Sequence, residues 1–129
     1  MNYKGVIIEE SLSDKSVLKG LKILNTEIEK VTKEHKTPWL AQWTMHTVEI
    51  SENEIDIIAD RIRSSMDLDH EWYADFKNDN THFIIFRNKV FKVDRKNKEQ
   101  YDNATKYGIS IGIPEYQVDF SPYIKMWGR

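Results

Sequence analysis

The sequence predicts an α+β fold of the ferredoxin-like kind. Three observations carry this. Short apolar runs at residues 5–8, 22–31, 39–50 and 70–77 read as strands, and Gly, Pro and Asx residues fall between them. An amphipathic pattern at 51–66 reads as a helix, and a shorter one precedes residue 22. The resulting order up to residue 77 is β-α-β-β-α-β, which implies a four-stranded antiparallel sheet with both helices on one face. A β-hairpin, a third helix and an extended C-terminal tail then extend the sheet or cover its other face. The whole chain, 1–129, fits one domain. The alternative is a more irregular α+β sheet in which the first thirty residues pair elsewhere.

Taken in order, Gly5 to Ile8 is a β-branched first strand. "SLSDKSVLKGL" reads as a short helix, with Ser13 or Asp14 as cap, Val17, Leu18 and Leu21 as its apolar face and Gly20 near its end. "KILNTEIEKV" is a second strand, and Thr32–Pro38 is a polar loop ending in proline. "WLAQWTMHTVEI" is a longer third strand. Ser51 with Glu54 three residues on forms a capping box, and Ile50 with Ile55 a hydrophobic staple. Ile55, Ile58, Ala59, Ile62 and Met66 then follow helical spacing until Asp67–Asp69. "HEWYADFK" is a fourth strand and "NDN" a turn. "THFIIF" and "KVFKV" pair as a hairpin around Arg87, Asn88 and Lys89, because Asn tolerates a left-handed turn conformation. Lys96–Tyr107 is the third helix. It starts from Asp94 or Asn97, faces Tyr101, Ala104 and Thr105 inward, and stops at Gly108. The remaining tail, apolar but broken by Gly and Pro, is expected to run extended along the body.

The formal net charge is −2, so no global field favours nucleic acid or an anionic membrane. Charge is uneven, however: residues 77–106 carry eight Lys/Arg against four Asp/Glu. The absence of cysteine excludes disulfides, thiolate metal sites and a Cys nucleophile, and suits a cytoplasmic protein. "MNYKGVIIEES" has too short an apolar run for a signal peptide. No run reaches transmembrane length, so no membrane role is expected.

Phosphate-loop, dinucleotide, nucleophile-elbow and zinc-protease motifs are all absent, and no cofactor is expected. "GISIGIP" follows a helix instead of opening one, which removes it as a phosphate cradle. His46 in the third strand and His82 in the fifth are the candidate catalytic pair. Strand histidines converging on one sheet surface can serve as general acid and base in phosphodiester chemistry. With this strand order, "MHTVEI" and "THFIIF" resemble the LigT-like two-histidine phosphoesterases. Neither segment carries Thr or Ser two residues after its histidine, where that family has it.

"DLDHEWYAD" offers Asp67, Asp69, His70, Glu71 and Asp75 as oxygen and imidazole donors. Consecutive strand residues cannot all point one way, and no metal site is assigned. The RNA-recognition module shares the fold order, but its aromatic strand motif is missing here. The basic residues Arg87, Lys89, Lys92, Arg95, Lys96 and Lys98 therefore read chiefly as a solvated face. Arg95, Lys96 and Lys98 oppose the macrodipole at a helix start, and that is their one hint of anion binding.

Trp39, Trp43, Trp72 and Trp127 are many for this length. Trp43, Met45 and Thr47 should share one face of their strand, and Trp72, Ala74 and Phe76 one face of theirs. Those faces either pack in the core or form an interface. "HEWYADFKND…HFIIFRNKVFKVD…YGISIGIPEYQVDF" resembles a small conserved family of bacterial proteins of about this length, of the clostridial kind, across residues 43–122. No established activity comes with that resemblance, so it transfers no catalytic residue. The expected function is a small cytosolic binding or regulatory module, homodimeric through a sheet face or edge, for a protein partner or small ligand. A phosphodiesterase using His46 and His82, or an anion or nucleic-acid binder through residues 87–98, is the alternative.

Overall fold

Six strands make one antiparallel sheet: β1 (Tyr3–Ile8), β2 (Lys22–Lys30), β3 (Gln42–Ile50), β4 (Tyr73–Lys77), β5 (Thr81–Phe86) and β6 (Lys89–Asp94). The computed structural model describes residues 1–120, the Glu34 side chain excepted. The sheet order is β2-β3-β1-β4-β5-β6. Two α-helices, α1 (Ile55–Ser65) and α2 (Lys98–Ser110), accompany it among the described residues. None of these helices is long and apolar enough to cross a membrane.

Registers fix which residues share a face. Tyr3 pairs with Ile50, Gly5 with Val48 and Phe76, Phe76 with Phe83, and Ala74 with Ile85. These residues belong to the core beneath α1, where Ile55, Ile58, Ala59 and Ile62 meet Ile7, Val48 and Phe76. The opposite face carries Ile84, Phe86 and Val93, packed against Tyr101 and Ala104 of α2 and against Ile113, Val118 and Phe120. The helices thus lie on opposite faces, with α2 over the β4–β6 half. β2 is an edge strand, exposed along all nine residues.

The α1 pattern is as the sequence predicts, but its cap differs. The helix begins at Ile55, and Glu54 makes no side-chain cap bond. The Ser51 hydroxyl instead accepts from the Asn53 N–H, and Glu54 N–H bonds the Ser51 carbonyl, so the serine closes a turn ahead of the helix. The expected first helix is two 3-10 segments, Glu9–Ser11 and Lys15–Gly20. Six residues ending in a glycine are too few to repay α-helix nucleation. Asp14 caps the second segment by accepting from Ser16 N–H at 3.0 Å; the bond from the Ser16 hydroxyl first, and this backbone bond next, hold its carboxyl below the usual value. β3 starts at Gln42 and β4 at Tyr73, which leaves Trp39, His70 and Trp72 in loops.

The hairpin turn is the two residues Arg87 and Asn88, between the paired Phe86 and Lys89. Neither has positive φ, so the expected left-handed asparagine is not used. Asn97 caps α2 by accepting from Gln100 N–H. The helix runs through Gly108 to Ser110 and is followed by Gly112 at φ 97°. Gly108 serves close approach: a Cβ there would lie 2.6 Å from Val118 Cγ1. The chain beyond is not simply extended, since Glu115–Gln117 forms a 3-10 turn and Val118 and Phe120 are buried. The rest of the expected tail, Trp127 included, lies outside the described residues.

Candidate functional site

Among the described residues, the α2 face is covered over its β4–β6 half, and the other half forms the floor of a cavity of about 950 Å³. Val6 and Ile8 of β1 and Met45 of β3 supply an apolar floor, with Ile8 directly opposite Met45. One wall is the segment after α2, with Ile111, Ile113, Pro114 and Tyr116. The facing wall comes from the loop between β2 and β3. Gln117 Nε2 donates to the His35 carbonyl at 3.1 Å and ties the two walls together.

The loop wall has local causes. Lys33–His35 is a 3-10 turn, and His35 Nδ1 accepts from Thr32 N–H at 2.9 Å. Lys36 then sits at φ 59°, an uncommon conformation for a side-chain-bearing residue. The reversal delivers Thr37 to Trp43, whose indole Nε1 donates to the Thr37 hydroxyl at 3.0 Å.

Three tryptophans close one end of the cavity. Trp43 and Trp72 meet at 5.7 Å between centroids, Trp39 and Trp72 at 6.5 Å, and Trp39 stacks on His70 at 3.7 Å with planes 12° apart. Alternation predicts that Trp72 shares a face with Ala74 and Phe76. It does not, because the strand begins one residue later and the ring swings to the opposite face from those two. Asp67 organises this loop. It accepts from Asp69 N–H, from His70 Nδ1 at 2.8 Å and from Trp72 Nε1 at 3.3 Å. Burial alone would raise the Asp67 pKa, but these hydrogen bonds outweigh it and the carboxyl lies below its ordinary value. Arg87 pins the same loop through the Leu68 carbonyl at 2.6 Å and Glu71 at 2.5 Å.

The two candidate catalytic histidines are not brought together. His46 is on the α1 face, where Nδ1 pairs with the Thr26 hydroxyl at 2.8 Å and Nε2 with Glu9 at 3.1 Å. His82 is on the α2 face, between Asp75 at 2.6 Å and the Tyr101 hydroxyl at 3.0 Å. β1 and β4 lie between their strands, which puts them about 14 Å apart at the usual strand spacing. Imidazoles on opposite faces cannot flank one phosphorus. The His82 contact has a different consequence: Asp75 lines the cavity and has a buried imidazole and phenol behind it. With its proton on Nε2, His82 donates to Asp75 and accepts from the Tyr101 hydroxyl at Nδ1.

The basic residues are spread out. Arg87 sits at the hairpin turn, while Arg95 reaches the Asn78 carbonyl at 2.8 Å at the opposite end of β6. Lys89 lies over the Phe91 ring, Lys92 over Phe83 on the other face, and Lys98 pairs with Asp102. Lys96 follows Asp94, whose carboxylate accepts the Lys96 backbone N–H. The acidic and imidazole set at 67–75 is likewise divided, with His70 bonded to Asp67, Glu71 to Arg87 and Asp75 to His82. Among the described residues no three His, Asp or Glu side chains are grouped to hold a metal ion.

Sequence reading missed the cavity itself. Its signal was present in Trp39, Trp43 and Trp72, but only the loop conformations bring those rings to one place. Compared with family models, with curated proteins and with solved structures, the chain matches none.

Proposed function

We propose that this protein is a small-molecule-binding module whose ligand occupies the cavity on the α2 face. One observation carries the reading. A half-open sheet face that could have been solvated is instead floored by Val6, Ile8 and Met45, and its end is closed by three indoles. Its volume falls within the range of small-ligand sites, which are mostly apolar with a few polar groups. The test is titration with the neutral apolar dye Nile red, read by its emission. Binding is expected, and Met45→Lys, which places a charge on the floor, should abolish it while leaving the circular dichroism spectrum native. No binding, or binding unaffected by Met45→Lys, overturns the reading.

A second reading, compatible with the first, is self-association through β2. It is favoured by an edge strand exposed along its whole length, with Ile23, Leu24 and Ile28 among the exposed apolar residues. Sedimentation should then give a concentration-dependent dimer that Ile28→Lys disperses, and a monomer at all concentrations would remove it. The phosphodiesterase reading draws no support from histidines on opposite faces. The nucleic-acid reading draws none from dispersed lysines and arginines. We read β1 to β4 as a ferredoxin-like arrangement, which the order β2-β3-β1-β4 supports and the 3-10 crossover departs from. We place the protein in the cytosol, a reading that the lack of cysteine supports.

A further inference from the structure

We infer that two copies of the chain join edge to edge through β2, antiparallel and centred on Thr26, so that one sheet runs through both. This rests on the self-association reading above and adds the register in which the second copy docks.

The first observation is a bulge. Among the described strands β2 has β3 as its one neighbour, and it is exposed along all nine residues. Its register on β3 runs from Lys30 opposite Gln42 to Asn25 opposite Thr47, and the next pair is Ile23 with Val48. Leu24 is thus an extra residue, which moves Ile23 and Lys22 one place along the ladder. Lys22, Asn25, Glu27 and Glu29 consequently share the cavity face with Met45, while Ile23, Thr26 and Ile28 share the α1 face with Val48.

The second observation is what the bulge does to self-pairing. A twofold axis perpendicular to the sheet leaves both faces where they are, so only residues of one face meet. With Thr26 opposite its own copy, Asn25 meets Glu27, Ile23 meets Ile28 and Lys22 meets Glu29, and symmetry makes each pair twice. An amide faces a carboxylate, aliphatic faces aliphatic, and opposite charges face each other, all favourable across strands. Without the extra residue the same centre would set Ile23 against Glu29 and Lys22 against Lys30. Ile23 and Ile28 are 41% and 66% exposed in the single chain, and this register covers both.

The third is the failure of neighbouring registers. Centring on Glu27 sets that carboxylate against its own copy, and centring on Ile28 sets Glu27 against Glu29 twice. Centring on Asn25 brings the two bulges together at the axis and shortens the paired stretch to Lys22–Glu27. The ion pair of the Thr26-centred register has both its charges. His35 Nδ1 accepts the Thr32 N–H, so the ring donates to Glu29 from Nε2 and leaves that carboxylate ionised. Lys22 lies opposite Glu49 in its own sheet, and the incoming Glu29 approaches from the other side.

The chain has no cysteine, so a single introduced one reports the register. Thr26→Cys should give a covalent dimer on mild oxidation, because directly opposed antiparallel residues lie within disulfide reach. Glu29→Cys, about 20 Å from its copy in this register, should not. In sedimentation of the full chain, Lys22→Glu and Glu29→Lys should each weaken the dimer about tenfold, the scale of two exposed cross-strand ion pairs turned repulsive. The double exchange Lys22→Glu, Glu29→Lys should restore it. Suppose instead that Ile28→Lys disperses the dimer, but Glu29→Cys cross-links as readily as Thr26→Cys or the double exchange restores nothing. Either result overturns the register and leaves self-association through β2 standing. A monomer at all concentrations overturns both.

Discussion

Gly5→Ala tests the joint on which both the sheet and the cavity depend. β1 meets β4 through only three register pairs, Lys4 with Lys77, Gly5 with Phe76 and Val6 with Asp75. A Cβ at Gly5 would stand 1.9 Å from the Asp75 carbonyl oxygen and 2.8 Å from both its carbonyl carbon and Phe76 Cα. Carbon and oxygen in contact keep about 3.3 Å, so the strands would have to part by roughly 1.4 Å. Ladder hydrogen bonds do not survive that separation. Losing two of them costs about 1–3 kcal/mol, and loosening the Ile7, Val48 and Phe76 packing costs about 1–3 more. A total of about 2–6 kcal/mol is a large part of the 5–15 kcal/mol by which domains are stable. Gly20→Ala is the control, since its Cβ meets only an Arg61 guanidinium nitrogen at 3.8 Å. Urea unfolding followed by circular dichroism and tryptophan fluorescence measures both variants. The reasoning fails if Gly5→Ala stays within about 1 kcal/mol of the parent, or if Gly20→Ala loses as much.

Gly108→Ala should destabilise despite the helix propensity gained by removing a glycine, because the new methyl group meets the buried, branched Val118. Thermal melts should show a net loss of about 1–2 kcal/mol that is partly restored in the Gly108→Ala, Val118→Ala double variant. Tyr101→Phe removes the hydroxyl partner of His82 Nδ1 at a 1 % exposed imidazole, and should cost about 1–2 kcal/mol in urea unfolding. Asp67 has a folded pKa below its ordinary 3.8, so its ionised form stabilises the fold above that value and the contribution fades as pH falls through the lowered one. Asp67→Asn should therefore be less stable than the parent at pH 7, with the gap closing below about pH 4; a gap independent of pH would refute the assignment.

Local pattern carried far in this chain. The α1 stripe, Ile55 to Ile62, is readable because one periodicity runs for more than two turns. The strands are readable because β-branched and aromatic runs are punctuated by Asn, Asp and Gly. What failed was information held between elements. His46 and His82 look equivalent in sequence, yet their faces depend on the registers across β1 and β4, of which only the β4–β5 pairing is set by a tight turn, while β1–β3 and β1–β4 are long-range. Trp72 illustrates the same limit at one residue. Two-residue alternation places it beneath α1 with Ala74, but β4 begins at Tyr73, and Asp67 and the ring of Trp43 settle where the indole goes.

The position of the cavity follows from widths. A helix with its side chains is about 10 Å across, whereas six strands span about 24 Å between the outer two. One helix per face therefore covers two or three strands and leaves the rest to loops. On the α1 face the 3-10 segments at 9–20 help fill that remainder, and Leu12 and Val17 join the core. On the α2 face the loops stand as walls. Composition within that face then separates a solvated surface from a site. On β2 the same face carries Asn25, Glu27 and Glu29, as exposure to water demands. One and two strands inward it carries Met45 opposite Ile8, with Trp43 and Val6 on either side. If water alone met this surface, the polar character of β2 would be expected to continue across β3 and β1. The change from carboxylate to apolar side chains between Glu27 and Met45, which are direct register partners, marks the edge of the cavity's apolar floor.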